Sequence, residues 1–149
     1  MYKRQLQVFA ALLPVYAVTR SGGAVGWLDV VALLLGVGAV TLQLVADTQM
    51  QRFAATKQPG DVMDRGLWAW SRHPNYLGEL CFWLALALVG LAASPDDAWW
   101  IFAGTAAMIA MFLGASIPMM EQRSLERRPA YAAVIERVPM LVPRPPRRR

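Results

Sequence analysis

The chain has 149 residues, about the length of one domain, with 56% hydrophobic and only 17% charged residues and a formal net charge of +5. Soluble globular chains carry roughly 25% charge; here the basic residues sit beside long apolar runs, which excludes a nucleic-acid partner and points to a membrane. A single cysteine, Cys81, and a single histidine, His73, exclude an intrachain disulfide and a zinc or haem site built from this chain alone, so no metal is expected.

Crossing a hydrocarbon core of about 30 Å takes about 20 apolar residues in a helix. In chain order, residues 1–5 (Met-Tyr-Lys-Arg-Gln) resemble translated sequencing-adapter sequence, which implies an N-terminally truncated member of a longer protein; a genuine short N-terminus is the alternative. Residues 6–18 are apolar but short and interrupted by Pro14. Residues 27–45, 76–93 and 99–120 each have the length of a span. Residues 121–138 have helical character with a modest apolar face (Leu125, Tyr131, Val134, Ile135), as expected of a helix lying on the membrane surface. Residues 139–149 form a Pro/Arg-rich tail that cannot be helical, closing in Arg147-Arg148-Arg149 beside anionic lipid. The expected fold is all-α: a single membrane domain over 1–149, with a polytopic transmembrane helical bundle of about four spans in 6–138 and a cytoplasmic C-terminal surface helix.

Basic residues set the orientation. The connection between the second and third segments holds Arg52, Lys57, Arg65 and Arg72, the tail after Met120 holds eight arginines, and Ser94-Pro95-Asp96-Asp97-Ala98 holds none. By the positive-inside rule both termini and the 46–75 connection are expected in the cytoplasm, the protein being integral to a bacterial inner membrane. Trp27, Trp99 and Trp100 then begin segments at the outer interface.

The polar residues concentrate in Ser71-Arg72-His73-Pro74-Asn75-Tyr76-Leu77-Gly78-Glu79. Pro74 suits the first turn of a helix, with His73 near the cap. Arg72, Asn75, Tyr76 and Glu79 are spaced to share one helical face. A carboxylate one turn inside a span is costly unless it faces the bundle, so Glu79 is expected to point inward with Arg72 or Arg52 as counter-ion. Gln43, Asp47 and Gln51 form a second polar stripe at the end of the preceding span, and Glu121 with Arg123 a third element, each equally compatible with a solvated helix end. Such a lining suits a large anionic ligand with hydrogen-bonding groups, since arginine forks pair with phosphate. The sequence has no glycine-rich loop of the soluble nucleotide-binding kinds.

Gly66-Leu67-Trp68 followed by residues 71–79 resembles the signature of the steroid 5-alpha-reductase-like membrane proteins, in particular their bacterial branch of unassigned function. Ala46-Asp47-Thr48-Gln49 upstream, and Glu121, Leu125, Tyr131 and Val138-Pro139-Met140-Leu141-Val142-Pro143 downstream, fit the same pattern in order, from Trp27 to Pro146. The resemblance implies that NADPH binds within the bundle from the cytoplasmic side. Asn75 and Glu79 would meet the nicotinamide end, while Asp47, Arg72, His73, Tyr76, Arg123 and Tyr131 line the rest. Hydride would pass to a conjugated carbon–carbon double bond of a lipid or steroid-like substrate. Related reductases polarise the substrate carbonyl with groups from N-terminal helices that this sequence does not contain, so the chain is expected to be the cofactor-binding half, and no catalytic residue is assigned. Glu121 and Leu125 also stand where the steroid reductases show other residues. The sequence is similar as well to the isoprenylcysteine carboxyl methyltransferase type, which shares Arg-His-Pro-x-Tyr and uses S-adenosylmethionine; Asn75 and Glu79 favour the reductase. A non-catalytic membrane module is the third reading.

Overall fold

The structure, a computed structural model, describes residues 8–21 and 24–145. The readings for residues 1–5 and for the closing arginines lie outside the described residues. Every regular element described is helical: α1 (Val8–Ser21), α2 (Trp27–Thr56), a 3-10 turn (Gly66–Ala69), α3 (Pro74–Ala93), α4 (Pro95–Arg127) and α5 (Tyr131–Arg137). α2, α3 and α4 are each long and apolar enough to cross a membrane, whereas α1 is apolar but shorter. The chain is a helical membrane bundle.

α2 starts where the Asp29 carboxylate accepts the Gly26 N–H at 2.8 Å, placing an anion at the positive end of the helix. Its 30 residues make a rod of about 45 Å, longer than the hydrocarbon core. The Gln43–Asp47–Gln51 stripe therefore rides on a helix that continues past the expected end of the span. α3 begins with Pro74 in its first turn and stops at Ser94, ahead of Pro95.

Small residues set the packing. Ala32, Ala39 and Ala46 recur every seventh residue on α2 and are buried, and Gly78 of α3 meets them: a Cβ there would lie 2.8 Å from the Ala39 carbonyl oxygen and 2.7 Å from Gln43 Cγ. α1 is wedged between α3 and α4 in the same manner. A Cβ at Gly90 would stand 2.7 Å from Pro14 Cβ, and one at Gly104 would meet the backbone of Ala10 and Ala11.

Two prolines shape the far end of α4. Pro118 has no N–H to give to the preceding turn and its ring crowds the Gly114 carbonyl, and the helix widens into a π turn at Phe112–Ser116 just before it. Pro129 then ends the helix. The sequence leads one to expect a single surface helix over 121–138, but α4 continues to Arg127, Arg128 is extended (φ −147, ψ 88), and α5 starts anew at Tyr131. Beyond α5 the proline-rich residues 138–145 form an extended strap along residues 70–73. Arg72 N–H donates to Pro139 O at 2.9 Å, His73 N–H to Met140 O at 3.2 Å, and Arg144 N–H to Trp70 O at 3.1 Å.

Candidate functional site

The end of the bundle that gathers the C-termini of α2 and α4, the start of α3, α5 and the strap carries a buried ionic cluster. Arg72 is 9% exposed and His73 3%. Arg72 Nε donates to Glu121 Oε1 at 2.7 Å, and Nη1 donates to the carbonyls of Ile135 at 2.8 Å and Val138 at 3.1 Å. The guanidinium thus closes the negative end of α5 while pairing with α4. Glu121 Oε1 also meets His73 Nε2 at 2.9 Å. A carboxylate paired with arginine only accepts hydrogen bonds, so Nε2 carries the proton. Nδ1 is buried without a partner among the described residues. Tyr76 stacks on the imidazole with ring centroids 5.5 Å apart, and its hydroxyl donates to Met120 Sδ at 2.9 Å.

Three cavities adjoin this cluster. One of about 240 Å³ includes Arg72, His73, Asn75, Ser124, Arg128 and Tyr131 in its wall. Burial, reinforced by the nearby Glu121 carboxylate, pushes the Tyr131 phenol up to about 12, so it stays a neutral hydroxyl at any physiological pH. The second, about 380 Å³, is lined by Gln43, Asp47, Asn75, Glu79, Phe82 and Trp83, and meets the first at Asn75. The third, about 460 Å³, holds Gln49, Arg52 and Arg65, and meets the first at Met63. The loop that carries Arg65 is pinned to α2. Gly66 takes φ +59 and a Cβ there would strike the Gln49 side chain, Gln49 Oε1 accepts the Leu67 N–H at 3.0 Å, and Trp68 Nε1 donates to Ala46 O at 3.0 Å. Asp64 also pairs with Arg137 of α5 at 3.2 Å. Glycine, leucine and tryptophan at 66–68 therefore hold the wall between α2 and the loop.

Of the residues expected from sequence, Asp47, Arg72, His73, Asn75, Glu79 and Tyr131 line these connected cavities. One expectation is corrected, and three further residues take partners or positions that the spacing did not show. Arg72 precedes the helix and does not share a face with Asn75 and Glu79; it turns to Glu121, so Glu79 has neither Arg72 nor Arg52 as an ion-pair partner. His73 occupies the cap position, but its imidazole caps nothing and bonds Glu121 instead. Tyr76 lines none of the three cavities and supports His73 from behind. Arg123 is exposed on α4 and lines none of them either, whereas Arg128, just past the end of that helix, lines the first. Sequence reasoning missed Arg65, Ser124, Arg128 and Trp83, and gave Glu121 too small a part. Its only signal was a carboxylate three residues after Pro118. Among the described residues no group of three or more His, Cys, Asp or Glu could hold a metal ion.

Residues 2–138 match the family described as "Protein of unknown function (DUF1295)". The chain belongs to the DUF1295 family. Within the curated proteins it is similar to the uncharacterized protein C594.04c of Schizosaccharomyces pombe, 28% identical over 160 residues covering 93% of this chain and 46% of that protein. The chain thus spans about half the length of the curated relative it matches. No solved structure matches it. The DUF1295 match takes in α1 to α5 and the whole ionic cluster, and stops where the strap begins.

Proposed function

We propose that this DUF1295 chain is the NADPH-holding part of a membrane reductase acting on a carbon–carbon double bond of a lipid or steroid-like substrate. The observation that carries the reading is a row of three neighbouring cavities that share wall residues and change in charge along the row: Asp47 and Glu79 at one end, Arg72, His73, Arg128 and Tyr131 in the middle, Arg52 and Arg65 at the other. The basic end suits the phosphates of a dinucleotide. The acidic end has no paired cation among the described residues, which favours a ring that gains positive charge as it releases hydride. Two buried polar atoms without partners among the described residues, Asn75 Oδ1 and His73 Nδ1, suit a carboxamide and a sugar hydroxyl. Bound there, NADPH would supply the hydride to one carbon of a conjugated double bond while the other carbon takes a proton.

Purified protein in detergent is therefore expected to gain thermal stability with NADPH more than with NADH, following mass action. Arg52→Ala and Arg65→Ala should each weaken the effect about tenfold in apparent affinity, in keeping with the loss of one charge-assisted pair. Glu79→Gln should keep the fold and weaken binding. One observation favours a second reading: Asp47 and Glu79 beside Phe82 and Trp83, without a cation, also suit a sulfonium. Stabilisation by S-adenosylhomocysteine and not by NADPH would move the assignment to a methyltransferase.

The proposal places the cluster in the cytoplasm of a bacterial cell, since the basic loop and tail share that end of the bundle. In a Cys81→Ala background, cysteines at Lys57 and Asp96 are expected to react with impermeant maleimide from opposite sides of sealed vesicles. Equal labelling from one side would refute this topology.

A further inference from the structure

α2 and α3 enclose a fourth cavity, about 430 Å³, on the membrane-facing side of the bundle. Its lining is apolar except for Thr41 and includes Leu33, Gly36, Val37, Ala85 and Val89. It extends along α2 from Ala32 to Thr41, a length of roughly 14 Å at helical rise, the span of about ten chain carbons. At its inner end lies Phe82, which also lines the polar cavity of Asn75, Glu79 and Trp83. The groove thus shares Phe82 as a common wall with the candidate site and opens toward the hydrocarbon layer. A second, independent observation concerns Trp83. Its indole Nε1 is buried, has no hydrogen-bond partner among the described residues, and belongs to a side chain in the polar cavity just past Phe82. The Glu79 carboxylate lies close to it. A buried N–H left open in this way matches a carbonyl oxygen.

We propose that the groove between α2 and α3 seats the single hydrocarbon chain of an amphiphile whose carbonyl end passes Phe82 and accepts the Trp83 N–H. The chain enters sideways from the bilayer without crossing water, so the groove gives length and direction, and the polar end gives selectivity. The binding itself stands without the reductase reading. Only the conjugation of the carbonyl with a double bond rests on it.

The test uses the full chain in phosphatidylcholine vesicles and a linear twelve-carbon α,β-unsaturated methyl ketone bearing a diazirine at its far end, with the matching diazirine alkane as control. Photolabel is expected on the outer half of the groove, around Leu33 and Val89. Gly36→Leu fills the floor; a Cβ there meets only Ala85 Cβ at an ordinary 3.6 Å, so the backbone tolerates it. Val37→Phe narrows the groove from an exposed position. Each should cut ketone labelling about tenfold while leaving the thermal shift with NADPH unchanged. Trp83→Phe keeps the ring, removes the N–H, and should reduce labelling by the ketone several-fold but not by the alkane. Label spread over the outer faces of α2 and α4, full labelling of Gly36→Leu, or better competition by a sterol enone than by the linear ketone would overturn the proposal. Groove labelling with no NADPH shift would sustain it while removing the reductase reading, and an NADPH shift with unselective labelling would do the reverse.

Discussion

Arg72→Ala is expected to leave little folded protein. The substitution strands Glu121 at the end of α4 and uncovers the Ile135 and Val138 carbonyls that the guanidinium closes. Removing one member of a buried ion pair costs about 3–5 kcal/mol, a large share of the 5–15 kcal/mol typical of whole domains. Size-exclusion yield and the thermal midpoint in mild detergent give the measurement. Glu121→Gln should lose less, because the amide oxygen can still accept from Arg72. Wild-type stability in Arg72→Ala would show that the cluster is not what ties α4, α5 and the strap together.

Gly78→Val should have the next largest effect. Its Cβ alone would stand 2.8 Å from the backbone oxygen of Ala39, and backbone cannot step aside as a side chain can. Overpacking of this kind costs about 1–3 kcal/mol, partly offset by the roughly 0.5 kcal/mol or less that valine gains over glycine in helix propensity. The functional loss should exceed the loss in stability. Asp47 and Glu79 line one cavity from facing helices, and forcing α2 away from α3 separates them. Binding of NADPH, measured by thermal shift at saturating nucleotide, is expected to disappear while the chain remains folded. Retained binding would mean that this cavity does not hold the ligand.

Much of this arrangement was legible in the order of residues. Apolar length and charge placement give three spans and the polar end of the bundle, and Pro74 gives the first turn of α3. Residues 71–79 mark the site itself because arginine, histidine, asparagine, tyrosine and glutamate crowd beside an apolar run. The partners of those residues were not legible. The strap and the C-terminus of α5 meet Arg72 through backbone carbonyls, which every residue carries and no side-chain pattern reveals. Arg123 and Arg128 are alike as letters; Arg123 lies on the exposed face of α4, and only Arg128, just past its end, reaches a cavity wall. Trp83 reads as one more interface aromatic, and only its unsatisfied N–H sets it apart.

The π turn in α4 has a bearing on how this helix tolerates change. Its inward residues run Met108, Phe112, Ile117, Glu121 and Ser124, in steps of four, five, four and three. The step of five falls on Phe112–Ser116 and advances the later positions by about 100° over an unbroken α-helix. The apolar half and the polar half of the helix therefore hold separate rotational phases, joined by one wide turn. Met108 and Phe112 can follow the needs of α1 and α3 while Glu121 keeps its aim at Arg72, and a helix restored to uniform pitch would swing the carboxylate away from its partners with no residue of the site altered.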